Sequence, residues 1–260
     1  MTKIFFALLL VIGLFSSGAL SAAPLTVAVA ANFTKTIEEI GTAFTKQTGH
    51  EVRFSFGPTG KLYAQIKNGA PFDAFFAADT KRPRLLVEEG QAVPESYFVY
   101  AVGRLALYSP KLPVADDPQG VLEAAGFRHF SLANPRTAPY GVAGEEVLTR
   151  MGLLEALRGK IVHGESIAHA FQYVATGNAP LGFIALAQIV DPDSPVHGQG
   201  QYWIPPQEMY PPLEQAAVIL ERGANKTAMR EFIEFVRSGP GREIIARYGY
   251  DLPRATEPAE

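Results

Sequence analysis

The sequence predicts an α/β protein built as two similar halves, and three observations carry that expectation. Short apolar runs rich in β-branched residues alternate with segments of helical period, at the spacing of βαβ units and a mostly parallel sheet. A central block repeats the order of the first elements. A strand-like segment and two helical segments then follow a proline-rich stretch, as if the chain returned to its first half.

LTVAVAANF (25–33) reads as a buried strand ending at Ala31-Asn32. The next segment spaces Phe33, Ile37, Ile40 and Phe44 by four, three and four residues. That places one apolar face on a helix, which Gly49 is expected to end. HEVRFSFG (50–57) is a second strand, LYAQIKNG (62–69) a second helix, FDAFFAAD (72–79) a third strand and RPRLLVEEG (82–90) a third helix. YFVYAVGRLALYSP (97–110) has Gly103 at its middle and reads either as one strand or as two with a crossover. The second half contributes strands at 129–135, 160–164 and 181–186 and helices over 141–151 and 167–176. Residues 191–212 hold six prolines and read as loop; 214–221 is a strand, and two helices close the chain before 249. This organisation gives one lobe from 24–103 plus 213–254 and another from 104–212.

The first 22 residues have the three regions of a secretory leader: Lys3, an apolar run from Ile4 to Phe15, and small residues up to Ala23. Cleavage is expected after Ser21 or Ala22. The apolar run is short for a membrane span, which needs about 20 residues. The chain has no cysteine, so disulfides and a lipid anchor on a terminal cysteine are not expected. A formal net charge of −3 gives no basic footprint for nucleic acid. The expectation is a soluble exported protein.

Enzyme motifs fail one by one. GPTGKL (57–62) resembles a phosphate-binding loop, but the strict motif needs glycine where Ser55 stands and a hydroxyl where Leu62 stands. His50, His129, His163, His169 and His197 show no metal-binding spacing, and no nucleophile-elbow motif is present. Asp116-Asp117 and Asp191/Asp193 lie beside prolines and read as solvated loop carboxylates.

Strand-to-helix junctions are more informative. In open α/β sheets ligands bind beyond the carboxyl ends of strands, where helix starts point unsatisfied N–H groups outward. Four junctions put small, hydroxyl or amide residues there: Ala31-Asn32-Phe33, Gly57-Pro58-Thr59-Gly60, Ala138-Pro139-Tyr140-Gly141 and Glu165-Ser166-Ile167. Asn32 and Thr59 also suit ordinary capping. Together the junctions describe a cleft that holds an anion by neutral donors and partial positive charge. Donors without acceptors suit a fully deprotonated tetrahedral anion. Lys61 either leans into that cleft or stays solvated, the usual state of a long charged side chain.

VAVAANF, FGPTGKLYAQIKNGAPFDAFFAAD, NPRTAPYGVAGEEVL, GNAPLGFIAL and GREIIARYGY together resemble the periplasmic molybdate-binding proteins, the receptors of molybdate-importing ABC transporters. The resemblance runs from about Leu25 to Leu252. It implies two α/β lobes in the periplasmic binding protein fold, hinged around a cleft. That cleft closes on molybdate, and tungstate also, through hydroxyls and backbone N–H groups with no cation in contact. It implies no catalysis and no cofactor, a membrane permease as partner, and a monomer. Carried over by position, the oxyanion contacts fall on Asn32, Thr59, Tyr140 and Ile167, with Ala31 and Gly60 offering neighbouring N–H groups. Some members have a tyrosine hydroxyl where this chain has Ala185, and Tyr140 is expected to supply one from another direction. Lys61 replaces a small or polar residue of the family. The alternatives are sulfate, thiosulfate or phosphate as ligand, or an enzyme acting on phosphorylated small molecules. Phosphate keeps a proton at neutral pH and wants an acceptor, for which Asp73 and Asp79 are the nearest carboxylates, both expected instead to be structural.

Overall fold

The computed structural model describes residues 24–253, so the expected leader over 1–22 lies outside the described residues. The chain runs β1 (Leu25–Ala30), α1 (Thr34–Thr48), β2 (Val52–Gly57), α2 (Thr59–Lys67), β3 (Ala74–Phe76), α3 (Lys81–Glu88) and β4 (Phe98–Gly103). It then passes into β5 (Leu105–Ser109), α4 (Pro118–Ala124), β6 (Phe130–Ala133), α5 (Pro139–Arg150), α6 (Leu154–Leu157), β7 (Ile161–Gly164), α7 (Ile167–Ala175), β8 (Leu181–Ala185), α8 (Ala187–Val190) and β9 (Gln201–Trp203). Finally come β10 (Leu213–Ile219), α9 (Thr227–Arg237) and α10 (Gly239–Arg247).

Two five-stranded sheets result, ordered β2-β1-β3-β10-β4 and β7-β6-β8-β5-β9. Each is mixed. The βα units pair in parallel (β1 with β2 and β3, β6 with β7 and β8), as their alternation with helices requires. The strands next to the crossings between the sheets, β4, β5 and β10, pair antiparallel. The segment 97–110 is therefore two strands in different sheets, broken at Gly103-Arg104. Beside that crossing the Arg104 guanidinium holds Asp251 through two hydrogen bonds of 2.7 and 2.8 Å. The supposed loop over 191–212 contains β9, a three-residue edge strand that prolines on both sides leave too short for a periodic signal.

Each sheet is covered by helices with apolar faces. Helix α1 buries Ile37, Ile40 and Phe44 and ends at Gly49, whose φ of 78° is the left-handed cap conformation that favours glycine. On α9 the buried Met229, Phe232, Ile233 and Val236 face the same core, where Phe232 meets the Phe44 ring edge-on at 5.2 Å between centroids. The second lobe packs Phe130, Leu132, Val147 and Phe183 in the same way. Burial of each such side chain stabilises by roughly 1.5–3 kcal/mol. Among the described residues no helix is long and apolar enough to cross a membrane.

Candidate functional site

A small cavity lies between the lobes, where four chain junctions converge: Ala30 to Asn32, Gly57 to Thr59, Ala138 to Tyr140, and Ser166 with Ile167, closed on one side by Ala78. These are the four junctions expected from the sequence. No Asp, Glu, Lys, Arg or His lines the cavity.

Helix starts line it. Thr59 opens α2, Tyr140 is the second residue of α5, and Ile167 opens α7. First-turn amides have no carbonyl behind them inside their own helix. The Thr59 hydroxyl, 2% exposed, accepts from Ala78 N–H at 3.2 Å. With that acceptor lone pair committed, its own proton is left to donate. Ser166 caps α7 by accepting from His169 N–H at 3.3 Å, and it lines the cavity although no contact was assigned to it from sequence.

Three expectations are corrected in detail. Gly60 N–H is not a free donor: it is given to Thr137 O at 2.9 Å, across the seam between the lobes. The Asn32 carboxamide is also engaged within the protein. Its Nδ2 donates to Gln215 Oε1 at 2.8 Å and Tyr250 Oη at 3.1 Å. The Tyr140 hydroxyl reaches past the cavity to the crossing between the lobes. There it accepts from Gln215 Nε2 at 3.3 Å, and a Cβ added to Gly103 would stand 2.1 Å from it. The hydroxyl is thus engaged by Gln215, and Ala185 lies outside the cavity lining.

Sequence reasoning missed the network behind these residues. Gln215 is fully buried at a β-bulge in β10, and it joins Asn32, Tyr140 and the Tyr100 hydroxyl, which lies 3.0 Å from its Oε1. Tyr250 closes the loop by donating to Asn32 O at 2.7 Å. A signal for Gln215 was present: period-2 alternation in LEQAAVI puts it on the inward face with Leu213 and Ala217. Burial pushes the Tyr100, Tyr140 and Tyr250 hydroxyls up from their ordinary pKa, so all three remain neutral.

Formal charge sits outside. Lys61 does not line the cavity; its ammonium pairs with Glu165 at 2.6 Å. Asp79 binds the Arg82 side chain and caps its N–H at 2.9 Å. Asp73, fully buried, accepts from Thr26 N–H at 2.8 Å and Lys226 Nζ at 2.7 Å. Neither aspartate lines the cavity, so neither serves a protonated oxyanion as acceptor there.

Two helix-covered sheets facing one another across a cleft of helix starts define a two-lobed solute-binding protein. The chain belongs to the family of bacterial extracellular solute-binding proteins, whose model matches residues 25–251. It is 48% identical over 234 residues to the molybdate-binding protein ModA of Azotobacter vinelandii, covering 90% of this chain and 92% of that protein. It is 44% identical to the molybdate-binding protein ModA of Rhodobacter capsulatus, covering 94% of each. The solved structure of a periplasmic molybdate-binding protein from Azotobacter vinelandii matches with a TM-score of 0.84 at 43% identity, covering 88% of this chain and all of that one.

Proposed function

We propose that this chain is the extracytoplasmic receptor of an ABC importer, capturing molybdate, and tungstate also, in the interlobe cavity and delivering it to a membrane permease. The single observation that carries this is a cavity walled by helix starts and a hydroxyl with no charged side chain in its lining. A fully deprotonated tetrahedral dianion is satisfied by N–H and O–H donors alone. Hydrogen phosphate brings a proton that finds no carboxylate there. Identity of 44–48% to two molybdate-binding proteins supports the ligand.

In this reading the oxyanion is held by the main-chain N–H groups at Ala31, Asn32, Thr59, Tyr140 and Ile167 and by the Thr59 hydroxyl, while Gly60 holds the lobes together. The lobes divide as 24–103 plus 213–254 and 104–212. The protein works as an exported, periplasmic monomer, binds its ligand without turnover and uses no cofactor.

Calorimetric titration of the exported chain against molybdate, tungstate, sulfate and phosphate tests the reading. One-to-one binding of the first two, unaffected by the others, is expected, with about 4 kcal/mol of added stability at a thousandfold excess over Kd. Heat with sulfate and none with molybdate would keep the fold and replace the ligand. Hydrolysis of a phosphorylated compound, abolished by changing Lys61, would replace the receptor by an enzyme.

A further inference from the structure

Lys61 completes the GPTGK stretch, yet it neither enters the cavity nor stays free. Its ammonium donates to Glu165 Oε2 at 2.6 Å, from one lobe to the other, with both side chains about half exposed. The pair adjoins two of the helix starts that line the cavity. Lys61 lies two residues after Thr59 in the first turn of α2, and Glu165 two residues before Ile167 at the start of α7. The same seam is crossed by Gly60 N–H, which donates to Thr137 O at 2.9 Å, and within the second lobe the Thr137 hydroxyl donates to Glu165 O at 3.1 Å. One ion pair and one hydrogen bond thus link the α2 start to the second lobe, where Thr137 is itself tied to the turn before α7.

We propose that Lys61 and Glu165 are positioning residues that set the gap between the α2 and α7 starts, so that oxyanion size preference and release rate depend on an ion pair that never touches the anion. This rests on the oxyanion reading above. A free lysine at the mouth would attract sulfate and molybdate alike; neutralised by Glu165, it clamps without adding charge. The Lys61 hydrogen bond and charge hold the Glu165 carboxyl below the usual carboxylate range, as expected of a formed pair. An exposed ion pair has modest strength, up to about a fivefold effect on an equilibrium. Distance decides which anion fits, so even a small change in the gap alters the molybdate-to-sulfate ratio.

The test uses Glu165→Gln, Lys61→Met, the double variant and the charge reversal Lys61→Glu with Glu165→Lys, all at surface positions. Glu165→Gln should weaken molybdate by about two- to fivefold through faster release, and narrow the preference over sulfate. The double variant should be no worse than either single one, and the reversal should recover most of the loss. The sign for Glu165→Gln decides between a clamp and a simple attraction. If freeing Lys61 tightens molybdate, the lysine acts as a direct counter-charge and the proposal is wrong; additive single effects also overturn it. If the unaltered chain binds sulfate in place of molybdate, only the ligand reading fails, and the same variants are scored with sulfate. If it binds neither, spin labels report on the lobes directly, since the chain has no cysteine of its own. Labels at Lys46→Cys and Arg128→Cys, one per lobe, should move apart in Glu165→Gln; an unchanged distance distribution rejects the clamp.

Discussion

The two walls of the cleft reach the same chemistry by different means. The first lobe adds a side chain to its amides: the Thr59 hydroxyl is oriented by Ala78 N–H, beside an Asn32 whose carboxamide is pinned by Gln215 and Tyr250. The second lobe presents little but main chain, the starts of α5 and α7, with Ser166 capping the latter. A hydroxyl donor is sensitive to which side chain carries it. A wall of amides depends only on having an N–H there, whatever residue carries it. Substitutions of the same size should therefore behave oppositely on the two sides.

The largest effect is expected behind the first wall. Gln215→Leu keeps the bulk of a fully buried side chain but strands the Tyr140 hydroxyl, leaves Asn32 Nδ2 with Tyr250 as its one remaining partner and removes a partner of Tyr100. Each stranded buried group costs about 1–3 kcal/mol. The total should lower the thermal midpoint by on the order of 10 °C. Scanning calorimetry without ligand measures it, and a midpoint within a degree of the parent would show that the network carries no weight.

Next comes Thr59→Ala, which removes a proposed donor to the anion and leaves Ala78 N–H without its acceptor. Molybdate affinity should fall by roughly 1.5–3 kcal/mol, the value of a hydrogen bond to a charged group. Thr59→Ser should restore most of it. An unchanged dissociation constant for the alanine variant would take Thr59 out of the site.

On the second wall the contrast is between Ile167→Ala and Ile167→Pro. Alanine keeps the N–H and should change affinity little. Proline deletes one donor and still fits, because the first helical position tolerates it and Ser166 is already extended at φ −132°, ψ 170°. Its loss should be about tenfold or more, with helix content by circular dichroism unaltered. Equal behaviour of the two variants would mean that the α7 amide does not hold the ligand.

The walls were also unequally legible in the sequence. Helix starts announce themselves locally, through Asn32, Pro58-Thr59, Pro139 and Ser166, and all four junctions meet as expected. Helical and strand periods gave the βα units for the same reason. The interlobe bonds gave no such notice. Gly60 donates to Thr137 and Lys61 to Glu165 over 77 and 104 residues of chain, distances at which no local pattern speaks. Gln215 could be read as inward-facing by alternation, but not as the hub joining Asn32, Tyr100 and Tyr140. Short elements such as β9 and the four-residue α6 carry too few residues for a period to show.

The smallest effect on affinity separates the two roles of a single residue. Tyr140 stands on the second wall by its amide, while its ring carries the hydroxyl back to the first lobe at Gln215 Nε2. If that is where the hydroxyl works, Tyr140→Phe removes a weak 3.3 Å bond and leaves every proposed anion donor in place. Molybdate affinity should stay within about twofold of the parent, while stability falls by about 1 kcal/mol, the net worth of one neutral hydrogen bond. Binding and melting measured on the same sample give both numbers. A large loss of affinity with little change in melting would reverse the assignment: the hydroxyl would then turn to the anion when ligand binds, and the second wall would owe its grip to a side chain after all.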